Sequence, residues 1–141
     1  MSIVRPAIST DSYEVFALTK DFAASFDPEW EAFITAFDYL TMQDEARLLV
    51  ADESGRLLGY LLGFDHYALF ANGRVSWVEE IMVREDHRRQ RIGEELMTNF
   101  EEWAEARGSK LVALATRRAA AFYMALGYEA SATYFRKVLA T

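Results

Sequence analysis

Residues 79–97 read EEIMVREDHRRQRIGEELM, with four arginines and a histidine between positions 84 and 91 and Ile92-Gly93 directly after them. The arginine stretch follows an apolar strand-like run, RVSWVEEIMV (residues 74–83), interrupted only by Glu79 and Glu80. After it, Ile92, Leu96, Met97, Phe100, Trp103 and Ala104 recur at helical spacing, and Gly108 is placed to end that helix. A helix that begins here presents unpaired backbone N–H groups and the positive end of its dipole, which suits a pyrophosphate. Gly93 lets an anion approach the backbone, and Arg88, Arg89 or Arg91 can add charge-assisted contacts. A solvated basic loop that balances the acidic helix behind it is the competing reading, and spacing alone leaves both open.

Working outward, the arginine stretch is a local feature of an acidic chain. The 141 residues carry a net charge of −7 and a pI near 4.8. Residues 1–74 hold twelve acidic and five basic side chains, whereas residues 75–141 hold ten of each. A backbone grip on nucleic acid needs a broad basic face, so the balance argues against such a partner. With 52% apolar and 26% charged residues, the composition is that of one folded domain. No apolar run approaches a membrane span, and the N-terminus lacks the regions of a signal peptide, so a cytoplasmic protein is expected. The absence of cysteine excludes disulfides, zinc–thiolate sites and a thiol nucleophile. His66 and His87 have no third ligand spaced near them, and no metal is expected.

Along the chain, SIVRPA reads as a short strand, and Asp11 with Glu14 resembles a capping pair before Val15, Leu18 and Phe22. Asp27-Pro28 signals a second helix carrying Trp30, Phe33, Ile34 and Phe37. RLLVADESGRLLGYLLGF reads as a hairpin turning at Asp52–Gly55, with DHYALFANG as the loop after it. KLVALAT reads as a buried strand, RRAAAFYMALG as a short helix ended by Gly127, and TYFRKVL as a last alternating strand. The expected order over residues 1–141 is β-α-α-β-β-β-α-β-α-β, a mixed sheet with helices on its faces in a single domain of the α/β class.

The motif that opens the chain's second half resembles the central motif of the GNAT superfamily of N-acetyltransferases, a strand followed by Arg/Gln-x-x-Gly-x-Gly/Ala at a helix start. Arg88 matches its first position and Gly93 its last, while Arg91 stands where the family usually has its middle glycine. AAAFYMALGYE resembles a later family motif through Ala119, Phe122, Tyr123, Leu126, Gly127 and Tyr128, with Thr116 where an asparagine is common. The likeness spans essentially the whole chain.

By resemblance, the cosubstrate is acetyl-coenzyme A and the acceptor a primary amine, attacked directly in a ternary complex. Carried over by position, the backbone of Arg89, Gln90, Arg91, Ile92, Gly93 and Glu94 would cradle the pyrophosphate. Ile81, Met82 and Val83 would line the pantetheine arm, the N–H of Ile81 would polarise the thioester carbonyl, and Thr116, Ala119 and Phe122 would complete the cofactor slot. Tyr123 matches the tyrosine that protonates the departing thiolate, with aromatic packing beside Phe122 as its plainer role. Glu79 and Glu80 are the candidate bases, and strict alternation would put Glu79 on the face of Trp77 and Ile81. A salt bridge to a neighbouring arginine is the plainer role for either. Trp30, Phe33 and Tyr67, with Glu79, would wall the acceptor pocket, together with Phe22, Phe26, Phe37, Phe70 and the carboxylates Asp27, Glu29, Glu31, Asp38 and Asp65. Such a lining suits a small cationic amine, although aromatics at helical spacing are also ordinary core. A protein lysine or N-terminus as acceptor, a non-catalytic coenzyme A-binding module and a homodimer stay open at this stage.

Overall fold

The computed structural model describes residues 2–23, 25–87 and 91–140. A central five-stranded sheet runs in chain order: β1 (Ile3–Pro6), β2 (Ala46–Glu53), β3 (Arg56–Ala68), β4 (Gly73–Val83) and β5 (Ser109–Leu114). The first four strands are antiparallel neighbours, and β5 joins β4 in parallel. The β2–β3 turn closes on Ser54 and Gly55, both at positive φ, the two-residue geometry that matches strand twist. Helices α1 (Ser12–Phe22) and α2 (Trp30–Thr41) precede β2, α3 (Ile92–Ala106) crosses from β4 to β5, and α4 (Ala120–Ala125) follows β5.

Each sheet face carries its own core. On one face, Val15 and Leu18 of α1 and Phe37 of α2 meet Leu48, Val50, Leu57, Tyr60 and Leu62. On the other, Leu96, Met97 and Phe100 of α3 and Tyr123 of α4 meet Leu49, Leu58, Leu61 and Val78. Leu96, Met97 and Phe100 have no exposed surface, and burying each contributes about 1.5–3 kcal/mol. Gly63 makes this approach possible. A Cβ there would sit 2.3 Å from the Phe100 ring.

The structure departs from the sequence reading in five places. Residues 65–68 of the expected loop belong to β3, because Asp65, His66, Tyr67 and Ala68 pair with β4 and leave only residues 69–72 to turn. Helix α2 starts at Trp30 rather than at Pro28, with Glu29 as its cap. Asp11 stands at the start of α1 without a side-chain cap bond to it, accepting instead the Ile8 N–H at 2.8 Å, and Glu14 accepts from the Leu57 N–H at 3.0 Å and so ties α1 to β3. The strand expected at Thr133–Leu139 joins no ladder: residues 128–140 lie outside any helix or strand, with Phe135 86% and Leu139 91% exposed. Alternation marks a segment fit for a sheet, but a strand exists only where an edge receives its N–H and C=O groups. The fifth departure is in β4 and bears on chemistry.

Candidate active site

Opposite Leu62 and Gly63 of β3, strand β4 contains one extra residue. Gly63 pairs with Val78 and Leu62 with Glu80, so Glu79 is bulged between them. The extra residue resets the alternation. Trp77, opposite Phe64, and Glu80, opposite Leu62, share the α1/α2 face, while Val78, Ile81 and Val83 pack with α3. Strict alternation placed Glu79 on a common face with Trp77 and Ile81; the bulge puts those two on opposite faces and leaves Glu79 exposed at the kink.

Beyond the bulge, β4 and β5 part. Their parallel pairing runs from Arg74↔Ser109 to Val78↔Leu114 and stops there. The α3 N-terminus and α4 stand at the far end of that opening. Arg91 caps α3 with φ 66°, ψ 10°, a left-handed conformation, and its own side chain makes no bond to the first turn. Its position is the one at which the family motif has glycine, and the backbone conformation explains why: an L side chain is strained there. The backbone of Ile92, Gly93 and Glu94 forms that turn, whose N–H groups have no intrahelical acceptor. Gly93 also sits under α4, since a Cβ on it would lie 3.2 Å from Phe122 Cζ. Arg88, Arg89 and Gln90 lie outside the described residues.

Arg84 of the opening cluster is structural. Its Nε donates to the Leu57 carbonyl at 2.6 Å, and its guanidinium stands 3.6 Å from Glu14.

Helix α4 is short, and its ends are fixed by specific bonds. The Thr116 hydroxyl accepts the Ala119 N–H at 3.0 Å, which ties the turn leading into α4 to the helix cap. At the other end, Gly127 at φ 96° donates to the Met124 carbonyl and Tyr128 N–H to the Tyr123 carbonyl, the paired bonds of a Schellman turn. Tyr123 is thereby held in the α3-side core, 8% exposed, edge-on to Phe122 and Tyr128. Burial pushes its phenol up, so the hydroxyl stays protonated near neutral pH. The neighbouring Tyr128 hydroxyl is already engaged, donating to Glu101 at 2.6 Å.

On the α1/α2 face, Glu80 accepts the Tyr60 hydroxyl at 2.7 Å. Burial raises the Glu80 carboxyl above its ordinary range and the charge of Glu79 adds to the rise, while the Tyr60 hydrogen bond pulls it back. A partly buried carboxylate with elevated proton affinity is suited to accept a proton near neutral pH.

The residues expected to wall an acceptor pocket are only partly brought together. Trp30 and Phe33 are taken up in a ring stack with Tyr13 and Phe16 of α1, with Phe37 beyond Phe33. Tyr67 lies at the level of Arg74, four residues before Val78 and so roughly 13 Å along the strand. There it is 72% exposed and covered by the Arg74 guanidinium at 4.5 Å. Asp65 is fully buried on the α3 side in a two-bond ion pair with Arg107. Sequence reasoning missed Tyr60. A tyrosine in an otherwise apolar run, LLGYLLGF, was the available signal, since a buried phenol requires a polar partner.

Comparison with known proteins decides the family, because the acetyltransferase (GNAT) family model matches residues 11–128. The chain belongs to the GNAT family. It is an acetyl-coenzyme A-dependent N-acetyltransferase. It is similar to the aminoalkylphosphonate N-acetyltransferase of Salmonella typhimurium, 26% identical over 140 residues that cover 96% of this chain and 90% of the relative. Among solved structures it is similar to a transcriptional regulator from Bacillus halodurans, with TM-score 0.89 at 22% identity, covering 99% of this chain and 100% of that one. It is likewise similar to glucosamine-6-phosphate N-acetyltransferase from Arabidopsis thaliana, with TM-score 0.88 at 16% identity and 99% of each chain covered. These two likenesses show the GNAT fold and nothing finer. Among the described residues no helix is long and apolar enough to cross a membrane.

Proposed function

We propose that this GNAT enzyme acetylates the primary amine of a small cationic molecule by direct attack in a ternary complex. The carrying observation is that two groups of opposite chemistry flank β4 beyond Val78, one on each sheet face. Glu80, of raised proton affinity, follows the β4 bulge, and Tyr123, whose phenol burial keeps protonated near neutral pH, lies on α4. The residues of this chain divide the work accordingly. Ile81, Met82 and Val83 line the arm of the cosubstrate, and Ile92, Gly93 and Glu94 offer backbone N–H groups to its phosphates. Acetyl-coenzyme A supplies the acetyl thioester. Glu80 takes a proton from the incoming ammonium, directly or through one water, and leaves the amine free to attack. Tyr123 donates its hydroxyl proton toward the departing sulfur. Glu79, exposed at the bulge, adds negative charge that attracts a cation to the acceptor side. The absence of cysteine agrees with attack without an acyl-enzyme.

The test is a thiol-release screen of amines, polyamines, aminoglycosides and an aminoalkylphosphonate with saturating acetyl-coenzyme A, corrected for hydrolysis. The parent protein should acetylate at least one small amine. Glu80→Gln should lower turnover most at low pH, where free amine is scarce, with cofactor affinity unchanged. Transfer to peptide lysines or N-termini alone would reverse the choice of acceptor.

A further inference from the structure

Tyr60 has no place in the mechanism so far, yet its surroundings are unusual. It is a phenol 1% exposed in the middle of β3, directly opposite Met82, and its hydroxyl is given to Glu80 at 2.7 Å. That contact exists only because of the bulge. Were β4 paired regularly through this point, alternation would put Glu79 rather than Glu80 on the Tyr60 side beyond Trp77. Helix α1, which packs on both β3 and β4, brings the Thr19 hydroxyl against that of Tyr60. The titratable groups acting on Glu80 are Tyr60 from β3 and Glu79 from its own strand.

We propose that Tyr60 is a positioning residue for the base: its hydroxyl fixes one carboxylate oxygen of Glu80 and so aims the other at the acceptor amine. This assignment rests on the amine-acetyltransferase reading above. The hydrogen bond runs in one sense. An ionised Glu80 has no proton to give, so Tyr60 is the donor, and its phenol is raised by burial and by the Glu80 charge, which keeps the donor available across the working pH range. Glu80 Oε1 accepts that bond, and Oε2 is the oxygen left to receive the ammonium proton. Two consequences follow. A fixed carboxylate needs no reorientation as the amine arrives, which acts on kcat more than on KM. The donated bond also stabilises the ionised form and lowers a proton affinity that burial alone would raise further, so Glu80 is ionised over more of the pH range.

The experiment uses the full chain with Tyr60→Phe, Glu80→Gln and the double variant, each assayed with the best amine of the screen across pH. In parallel, a carbon-13 NMR titration follows the Glu80 carboxyl, identified by the resonance missing from Glu80→Gln. Tyr60→Phe should shift the Glu80 titration and the acid limb of kcat/KM upward together, on the order of one pH unit, with KM nearly unchanged. In the Glu80→Gln background the same substitution should cost nothing further, which is the coupling expected of residues acting as a unit. Should Tyr60→Phe fold poorly, 3-fluorotyrosine at position 60, a stronger donor of similar shape, should move both midpoints the other way. A Glu80 titration that ignores the change at position 60 overturns the proposal. So does an activity loss of equal size in both backgrounds with an unmoved acid limb, which would mark Tyr60 as core only. If no amine is acetylated the function reading fails instead, and the NMR titration still reports on the Tyr60–Glu80 bond by itself.

Discussion

At the scale of single residues, Arg91 and Tyr123 show how much backbone setting decides a side chain's worth. Arg91 holds a left-handed conformation at the cap of α3, and among the described residues its guanidinium has an exposed, 3.8 Å pairing with Glu94. Exposed pairs contribute little, whereas a non-glycine residue in this region costs about 1–2 kcal/mol. Arg91→Gly should therefore raise stability by about 1 kcal/mol, seen as a melting temperature a few degrees higher, without weakening acetyl-coenzyme A binding by calorimetry. A large loss of affinity would show instead that the arginine side chain itself grips the cosubstrate. Tyr123 is fixed by the bonds that close α4, and Tyr123→Phe keeps its edge-on packing while removing only the hydroxyl. Turnover should fall at least about tenfold, the low side of general-acid contributions, with melting temperature and cofactor affinity close to the parent's. Full activity would reduce Tyr123 to a wall of the cosubstrate slot.

Elements place the site through two interruptions of regularity. The bulge in β4 turns Glu80 toward α1, and the end of the β4–β5 ladder at Val78↔Leu114 opens the sheet. Both lie against Phe100 of α3, which fills the space left by Gly63 directly across from Val78. Gly63→Ala would put a methyl into that ring. The expected cost is about 1–3 kcal/mol of overpacking, measured by denaturant unfolding, together with a loss of activity larger than that of equally destabilising changes elsewhere. The reason is positional, since any shift of Phe100 moves the strand at the bulge. A neutral outcome would mean that α3 can slide freely over the sheet.

The whole molecule is closed at its N-terminal edge by charge. Arg5 of β1 donates to Asp11 at 2.8 and 3.0 Å and to Asp52 at 3.1 and 3.2 Å, joining the first strand, the turn before α1 and the end of β2. Burial pushes the Asp11 carboxyl up, but the Arg5 bonds and the Ile8 N–H outweigh it and hold it below the ordinary range. A carboxyl of depressed proton affinity contributes stability above its unfolded value, and that contribution is lost as pH falls through its folded value. Asp11→Asn should therefore melt lower than the parent at neutral pH, and the two melting curves should converge in acid below the normal carboxylate range. A constant gap across pH would assign the effect to packing rather than to charge.

What the sequence alone determined is the part written in local chemistry. Period-3.6 stripes, turn residues and capping signals specify the helices and the hairpin. The two motifs around Arg88–Gly93 and Ala119–Tyr128 were enough to indicate the GNAT family, because glycines and caps act within a few residues of themselves. Helix α4 is legible for the same reason, since Thr116, Gly127 and Tyr128 close it without outside help. Only the tertiary structure decided which glutamate shares a sheet face with Tyr60. Two adjacent acidic residues in an apolar strand hint at an irregularity, but a bulge exists only in relation to a partner strand, and the register of β3 against β4 sets it. Tyr60 was hidden for a related reason: its hydroxyl meets Glu80 across 20 positions of chain, a distance at which periodicity carries no information. The tail at Thr133–Leu139 has the pattern of a strand and lies in no ladder, because the pattern states which side chains could be buried and pairing depends on an edge elsewhere in the fold.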